Sequence, residues 1–349
     1  MWAPNWIDNP NALPSEAELT ELAKARGIEN LPRIQFSQDI YYTQDTLKAL
    51  NRLCQAFGKH LNVRFYTHSK GGFDASVLKA LPDVRSLSID CIEHINNPDE
   101  IFKLAHLQAF GFGVRTYKNP DFLKNFDLST FECLSLKACH SRSMDLSSLA
   151  EAKNMSYLWL ERHHVGIEAV AKMPKLKSLS LISMPKGVNL NGLSDCASLE
   201  YLRLLRVTPE AIVTISSQSL RVLEICRSRG LDDLGDLSRF PNLEVLNIED
   251  QIQLTVLTLD LPRLRELSLM TCKTLSELHG LDQLKNLEQF RVIRTALDLE
   301  ALTKFSWPET LKSLTLHSGL KKRDAEIEAA LKTSQLSASM TPFVKTQAA

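Results

Sequence analysis

The sequence predicts an α/β solenoid, a stack of short parallel strands joined by longer return segments, and three observations carry that expectation. A six-residue apolar pattern, L-x-x-L-x-L with other apolar residues allowed, recurs along most of the 349-residue chain. Its central apolar residues (Leu87, Phe110, Leu134, Leu158, Leu179, Leu202, Leu223, Leu246, Leu267, Phe290 and Leu314) fall 21 to 24 residues apart. The last two apolar residues of each copy are two apart, which puts them on one face of a strand and the residue between them on the other.

Each copy is a half-apolar strand that cannot bury its apolar side alone, so neighbouring copies must stack into one parallel sheet. The pattern is plainest at Leu176-Leu179-Leu181 and Leu199-Leu202-Leu204, and it runs on to Leu311-Leu314-Leu316. Going backward it reaches Val84-Leu87-Ile89, with weaker copies at Val63-Phe65 and Leu31-Ile34-Phe36. Between strands, Leu231-Leu234-Leu237 and Leu275-Leu278-Leu281-Leu284 recur every three residues, the period of a 3₁₀ path. From Leu158 to Phe290 the spacing alternates between 21 and 23, which points to a duplicated two-repeat unit.

This pattern resembles the leucine-rich repeat family, in a short-period class of about 21–24 residues per repeat. The resemblance covers roughly Leu61 to Gly319. It implies a curved horseshoe with a parallel concave β-sheet, built from about 11–12 repeats. Twelve strands at about 4.8 Å would span about 50–60 Å. The sequence departs from the family where many relatives carry an asparagine that bonds the turn. Those positions hold Cys139, His163, Met184, Val207, Ser228, Gln251, Cys272, Thr295 and Gly319. Of these, Cys139, Ser228, Gln251, Cys272 and Thr295 are expected to serve as substitutes.

Three regions follow: a helical N-terminal capping region at 1–60, the repeat solenoid at 61–319, and a short helix and polar tail at 320–349. Ser15 and Glu18 have capping-box spacing, and Gly27 is a stop for the helix they begin. Leu47, Leu50, Leu53 and Phe57 mark an amphipathic helix over about 43–57. These helices are expected to cover the open edge of the first strand. Residues 324–332 suit a closing helix, and the tail from Ser334 has a disordered composition. Leu13-Pro14 followed by Glu16 matches the opening of an F-box without the remainder of that motif.

Composition narrows the function. With 44% hydrophobic and 23% charged residues and a formal net charge of zero, the chain is of ordinary folded type. It offers no long-range attraction to nucleic acid or an anionic membrane. No apolar run is long enough to cross a bilayer, and the N-terminus does not read as a secretory signal. Seven scattered cysteines suit a reducing, cytoplasmic setting. No P-loop, H-E-x-x-H, G-x-S-x-G or C-x-x-C occurs. Gly111 and Gly113 make only an isolated G-x-G. His163-His164, with Cys139 and His140 one repeat away, lacks the geometry of a metal site. The reading is therefore no enzyme, no cofactor, no metal and no small-molecule substrate.

The family resemblance implies protein–protein recognition on the concave face, as an adaptor or inhibitor. The alternative is a substrate-specificity subunit of a multi-protein enzyme such as a ubiquitin ligase. Strand positions flanking the central apolar residue tile that face. One stretch stands out: Tyr157 and Trp159, then Ser178 and Ser180, then Tyr201 and Arg203, a serine floor walled by aromatics. Arg206 and Arg227 are expected at its edge, with Glu161 and Arg162 on the other side. Tyr, Trp and Arg are the residue types that dominate interface energetics, although aromatics also favour strands for sheet stability alone. Glu224, Glu249, Asp250 and Glu266, beside Arg291 and Arg294, read as a solvated charged face.

Overall fold

Every L-x-x-L-x-L copy forms a short strand, because its alternate apolar side chains are shut away on one side of the sheet. The computed structural model describes residues 6–26, 33–68, 71–139 and 143–333. Gly27, Leu31, His140 and the tail from 334, on which the sequence carries expectations, lie outside these. The chain divides into two compact units, Met1–Ala169 and Val170–Ala349.

In the first unit seven strands pair in parallel and in chain order: β1 (Trp6–Asp8), β2 (Arg33–Phe36), β3 (Asn62–Thr67), β4 (Ser86–Ile92), β5 (Ala109–Val114), β6 (Cys133–Leu136) and β7 (Tyr157–Glu161). The ladder thus begins inside the segment expected to be a helical cap. Ile34 and Phe36, the weak copy, are fully buried. β1 is three residues long, too short for any alternation to show in the sequence. The edge of β3 is paired with β2, so the two helices do not cover it; they are the connections between successive strands.

Helix α1 (Glu16–Arg26) starts with the expected capping box. The Glu18 amide donates to Ser15 Oγ at 3.2 Å, and Glu18 Oε2 accepts from the Ser15 amide at 2.7 Å. Helix α2 (Gln44–Phe57) is capped by Thr43, whose Oγ1 accepts from the Thr46 amide, and buries Leu47, Leu50, Leu53 and Cys54. Later return segments in this unit are 3₁₀ turns, several opened by an Asp carboxylate. Asp74, Asp127 and Asp145 accept from the amides of Ser76, Ser129 and Ser147. Side-chain hydrogen bonds, from Asn97 to Asp74 and from the Ser129 and Ser147 side chains to Asp127 and Asp145, act first and these amides second to hold each carboxyl below its ordinary range.

The second unit repeats the plan with β8 (Ser178–Ile182), β9 (Tyr201–Leu205), β10 (Val222–Cys226), β11 (Val245–Glu249), β12 (Glu266–Met270), β13 (Gln289–Ile293) and β14 (Ser313–His317). Leu179, Leu202, Leu223, Leu246, Leu267, Phe290 and Leu314 lie in one register across them. All seven are buried, each contributing about 2 kcal/mol of apolar burial. The predicted closing helix is present as Lys321–Thr333 and buries Ile327.

One residue past each of the first six strands of this unit the backbone turns left-handed. Ser183, Arg206, Arg227, Asp250, Thr271 and Arg294 all have φ between 53° and 57°. The conformation costs about a kcal/mol for a residue with a Cβ. It is held because each amide donates to a carbonyl of the next repeat, from Ser183 to Leu205 (2.8 Å) through Arg294 to His317 (2.8 Å).

The asparagine-equivalent positions divide. Gln251 Nε2 donates to the carbonyls of Glu249 and Ile225, and Cys272 Sγ to those of Met270 and Ile248. Cys139 Sγ donates to the Lys137 carbonyl, and Thr295 Oγ1 accepts from the Leu297 amide. Ser228 differs from the expectation: its Oγ is buried without a hydrogen-bond partner. His163, not expected to substitute, does so. Its Nδ1 accepts from the Met144 amide (3.0 Å), leaving Nε2 to donate to the Lys137 carbonyl (3.1 Å).

Candidate functional site

On a strand whose central residues are buried, the flanking side chains form the opposite face. That face and the strand ends beside it carry the expected contact residues, and the division between units falls among them. Tyr157, Trp159, Glu161 and Arg162 belong to the first unit; Ser178, Ser180, Tyr201, Arg203, Arg206 and Arg227 belong to the second.

In the first unit, β7 sets Tyr157 beside Cys133 and Trp159 beside Ser135 on β6. Two large rings thus stand next to two short side chains. Tyr157 is 37% exposed, and Trp159 is half-buried. Glu161 turns back to the backbone, its Oε2 accepting from the Ala138 amide at 3.3 Å. Arg162 is exposed and left-handed, at φ 66°.

Further along the same face lies a polar network that the sequence did not suggest. Asp90, 7% exposed, accepts from Arg64 Nε on one side and Lys137 Nζ on the other, both at 2.5 Å. Lys137 directly follows β6, the second strand away from Asp90. It reaches over because the strand between carries Gly111 and Gly113: a Cβ on Gly113 would lie 2.9 Å from Lys137 Cδ and 3.2 Å from Asp90 Cβ. Arg64 also stacks on Tyr66, 4.8 Å from the ring centre, and donates to Gln35 Oε1. Tyr66 OH donates to Asp8 on β1 at 2.6 Å. Burial and the Asp8 carboxylate both push the Tyr66 phenol up. The isolated G-x-G was the available signal. On a strand of a parallel ladder, two glycines on one face mean that a neighbour's side chain crosses there.

In the second unit, Ser178 faces Tyr201 and Ser180 faces Arg203 across β8 and β9. The serines are only 5% and 4% exposed, so their surface is already closed to solvent. Their short side chains lie below the longer Tyr201 and Arg203 on the paired strand. Arg203 is not a bare cation: its Nε lies 3.6 Å from Glu224 Oε2 on β10, and Glu224 also accepts from Asn247. Glu224 is 6% exposed and so is a buried partner in this network rather than part of a solvated charged face. Arg206 and Arg227 stand in the left-handed row past the strand ends, both exposed. Arg227 is paired with Asp250 at 2.8 Å. Among the described residues no three His, Cys, Asp or Glu side chains converge as a metal site, and no helix is long and apolar enough to cross a membrane.

No family model matches the chain, and no curated protein matches it in sequence. Solved structures do. An internalin from Listeria monocytogenes is 16% identical, with 90% of this chain and 79% of that one covered and a TM-score of 0.40. A leucine-rich repeat protein from Leptospira interrogans is 13% identical, with 94% and 93% covered and a TM-score of 0.38. The Toll–Spatzle complex of Drosophila matches at 15% identity and a TM-score of 0.45, with 86% of this chain and 49% of that one covered. Within each unit of this chain, from β3 onward in the first, one strand per 21–24-residue period pairs in parallel with the next, its apolar residues buried in register. By that repeat and strand geometry, the chain has a leucine-rich repeat fold.

Proposed function

We propose that the protein is a non-catalytic recognition scaffold that holds a protein partner against the face of its strands opposite the leucine core. The observation that carries this reading is the recurrence in both units of large side chains beside short ones. Tyr157 and Trp159 adjoin Cys133 and Ser135; Tyr201 and Arg203 adjoin Ser178 and Ser180. Rings with a polar tip, standing above short neighbours, supply large rigid contact area at little cost in side-chain entropy. An adaptor or inhibitor in a cytoplasm is the setting that fits a free-thiol chain of zero net charge.

The test is affinity capture with mass spectrometry, comparing wild type with Trp159→Ala/Tyr201→Ala/Arg203→Ala. Circular dichroism checks that the variant keeps its fold. A specific protein captured by wild type and lost by the folded variant supports the reading. A partner that survives the triple substitution overturns it.

A further inference from the structure

Past the strand ends of the second unit, the left-handed residues Ser183, Arg206, Arg227, Asp250 and Thr271 follow one another repeat by repeat. With the residues just beyond them they enclose a groove of about 790 Å³, within the usual range of ligand sites. Five cations line it (Lys186, Arg206, Arg227, Arg229 and Lys273) against a single carboxylate, Asp250. That carboxylate is already engaged by Arg227. The other four cations are exposed and none lies within salt-bridge distance of a carboxylate among the described residues; Lys186 is within electrostatic reach of Glu210, while Arg206, Arg229 and Lys273 are not ion-paired. The chain as a whole is neutral, so this is a local concentration of positive charge. Apolar surface accompanies it: Met184 and Val207 form part of the wall, and Ile252 stands 58% exposed at the groove.

We propose that this groove binds an acidic peptide segment of a protein partner, extended along the row of strand ends. Its carboxylates would meet Lys186, Arg206, Arg229 and Lys273, and an apolar side chain would rest against Ile252. The inference rests on the protein-binding reading above and names the chemistry of one contact. Spacing favours a peptide over a compact anion. The lining spans five successive repeats, about 19 Å at the interstrand distance, the reach of about six extended residues. One phosphate group would bridge two neighbouring cations and leave the rest unmet. A nucleic-acid strand calls for aromatic platforms, and the lining holds none.

The experiment is a fluorescence-anisotropy titration of the full chain with a labelled peptide of about a dozen residues, rich in Asp and Glu around a Leu pair. A second peptide carries Asn and Gln in place of the acids. Inorganic phosphate and a single-stranded oligonucleotide serve as competitors. The groove variant is Arg206→Asn/Arg229→Gln, since Asn tolerates the left-handed backbone at position 206. Lys118→Ala/Lys153→Ala removes the same charge elsewhere.

The expected result is saturable binding of the acidic peptide that weakens with salt. The amide peptide and the groove variant should each bind roughly tenfold more weakly, with the distant lysine variant unchanged. Equal affinity for the amide peptide, or full affinity in the groove variant, overturns the proposal. So does displacement of the peptide by phosphate or oligonucleotide at matched charge. The titration involves neither Trp159 nor Tyr201, so its failure removes the groove and leaves the strand-face reading to its own capture test.

Discussion

Arg221 and Glu244, each the residue before a strand of the second unit, meet as a bidentate pair, Nε to Oε1 and Nη2 to Oε2 both at 2.8 Å. They belong to a longer row. Lys177, Glu200, Arg221, Glu244, Arg265, Glu288 and Lys312 occupy the same position in seven successive repeats, each amide after Lys177 bonded to the carbonyl of the one before. Their charges alternate without a break. Lys177 pairs with Glu200, Arg265 with both Glu244 and Glu288, and Lys312 with Glu288. This two-repeat period coincides with the alternation of 21 and 23 in the leucine spacing, so side-chain charge and chain length both mark the same duplicated unit.

Isolated surface pairs contribute little, because both partners are solvated and lose side-chain freedom. A row in which one carboxylate serves two arginines is the case where they add up. Glu244→Gln leaves Arg221 and Arg265 facing each other across a neutral side chain. The expected cost is about 1 kcal/mol at low ionic strength, read as a drop in urea midpoint, and it should shrink by half or more in molar salt. The swap Arg221→Glu/Glu244→Arg should recover part of it. A cost equally large at high salt would show that Glu244 acts by packing.

The Asp90 network makes a larger prediction. Asp90 and Arg64 are mostly buried, so removing the acid leaves Arg64 as an uncompensated charge. Asp90→Ala should destabilise by about 3 kcal/mol. Gly113→Val tests the crossing itself, because its Cβ would collide with Lys137 at Cβ and Cδ. Overpacking of this kind costs about 1–3 kcal/mol. The pair should be strongly non-additive, since Gly113→Val acts partly by breaking the Lys137–Asp90 contact. Strict additivity in a double-mutant cycle would sink the argument that the glycine exists to let the lysine through.

Thiol chemistry should follow burial. Seven free cysteines are present, and Cys91 alone is exposed. Arg64 Nη2 and Lys137 Nζ both lie 3.7 Å from its sulfur. Burial pushes Cys54 up to about 12 and Cys196 and Cys272 to about 11. Native-state labelling with a disulfide reagent at neutral pH should therefore show one fast thiol. Cys91→Ser should abolish that phase and leave the slow ones, whose rates report opening of the fold. A fast phase that survives Cys91→Ser would contradict the assignment.

The strands were legible in the sequence because a period-two apolar pattern repeated at constant intervals admits one arrangement. Leu179 and Leu202 had no other place to go. The turns were less so. His163 is not among the expected asparagine substitutes, yet a neutral imidazole offers one donor and one acceptor in the directions the turn needs. Ser228 carries a hydroxyl that could bond the turn, and its Oγ is buried without a partner. On the face, Tyr157 and Tyr201 could be placed by register alone. The burial of Ser178, Ser180 and Glu224 could not, because it depends on how far the side chains of the adjacent strand extend. β1 left no trace, since three residues carry no periodicity.

His163 also makes the protein sensitive to mild acid, together with His68. Burial lowers both imidazoles below their ordinary range, and each is held neutral by opposite tautomers. His163 accepts at Nδ1 from the Met144 amide. His68 donates from Nδ1 to the Tyr66 carbonyl, and its Nε2 accepts from Tyr42 OH. The ordinary value of about 6.5 applies in the unfolded chain. There the unfolded state binds more protons than the folded one, so stability rises with pH. The contribution is fully present above about 6.5 and is lost as pH falls from there toward the lowered folded values. It differs from the loss due to the capping aspartates, which sets in only as pH falls below the ordinary carboxylate range. His163→Gln preserves one acceptor and one donor. It should cost about 1 kcal/mol near pH 7.5 and flatten the fall in urea midpoint between pH 7 and pH 5. An unchanged pH profile in His163→Gln would mean that the ring is not protonated on unfolding.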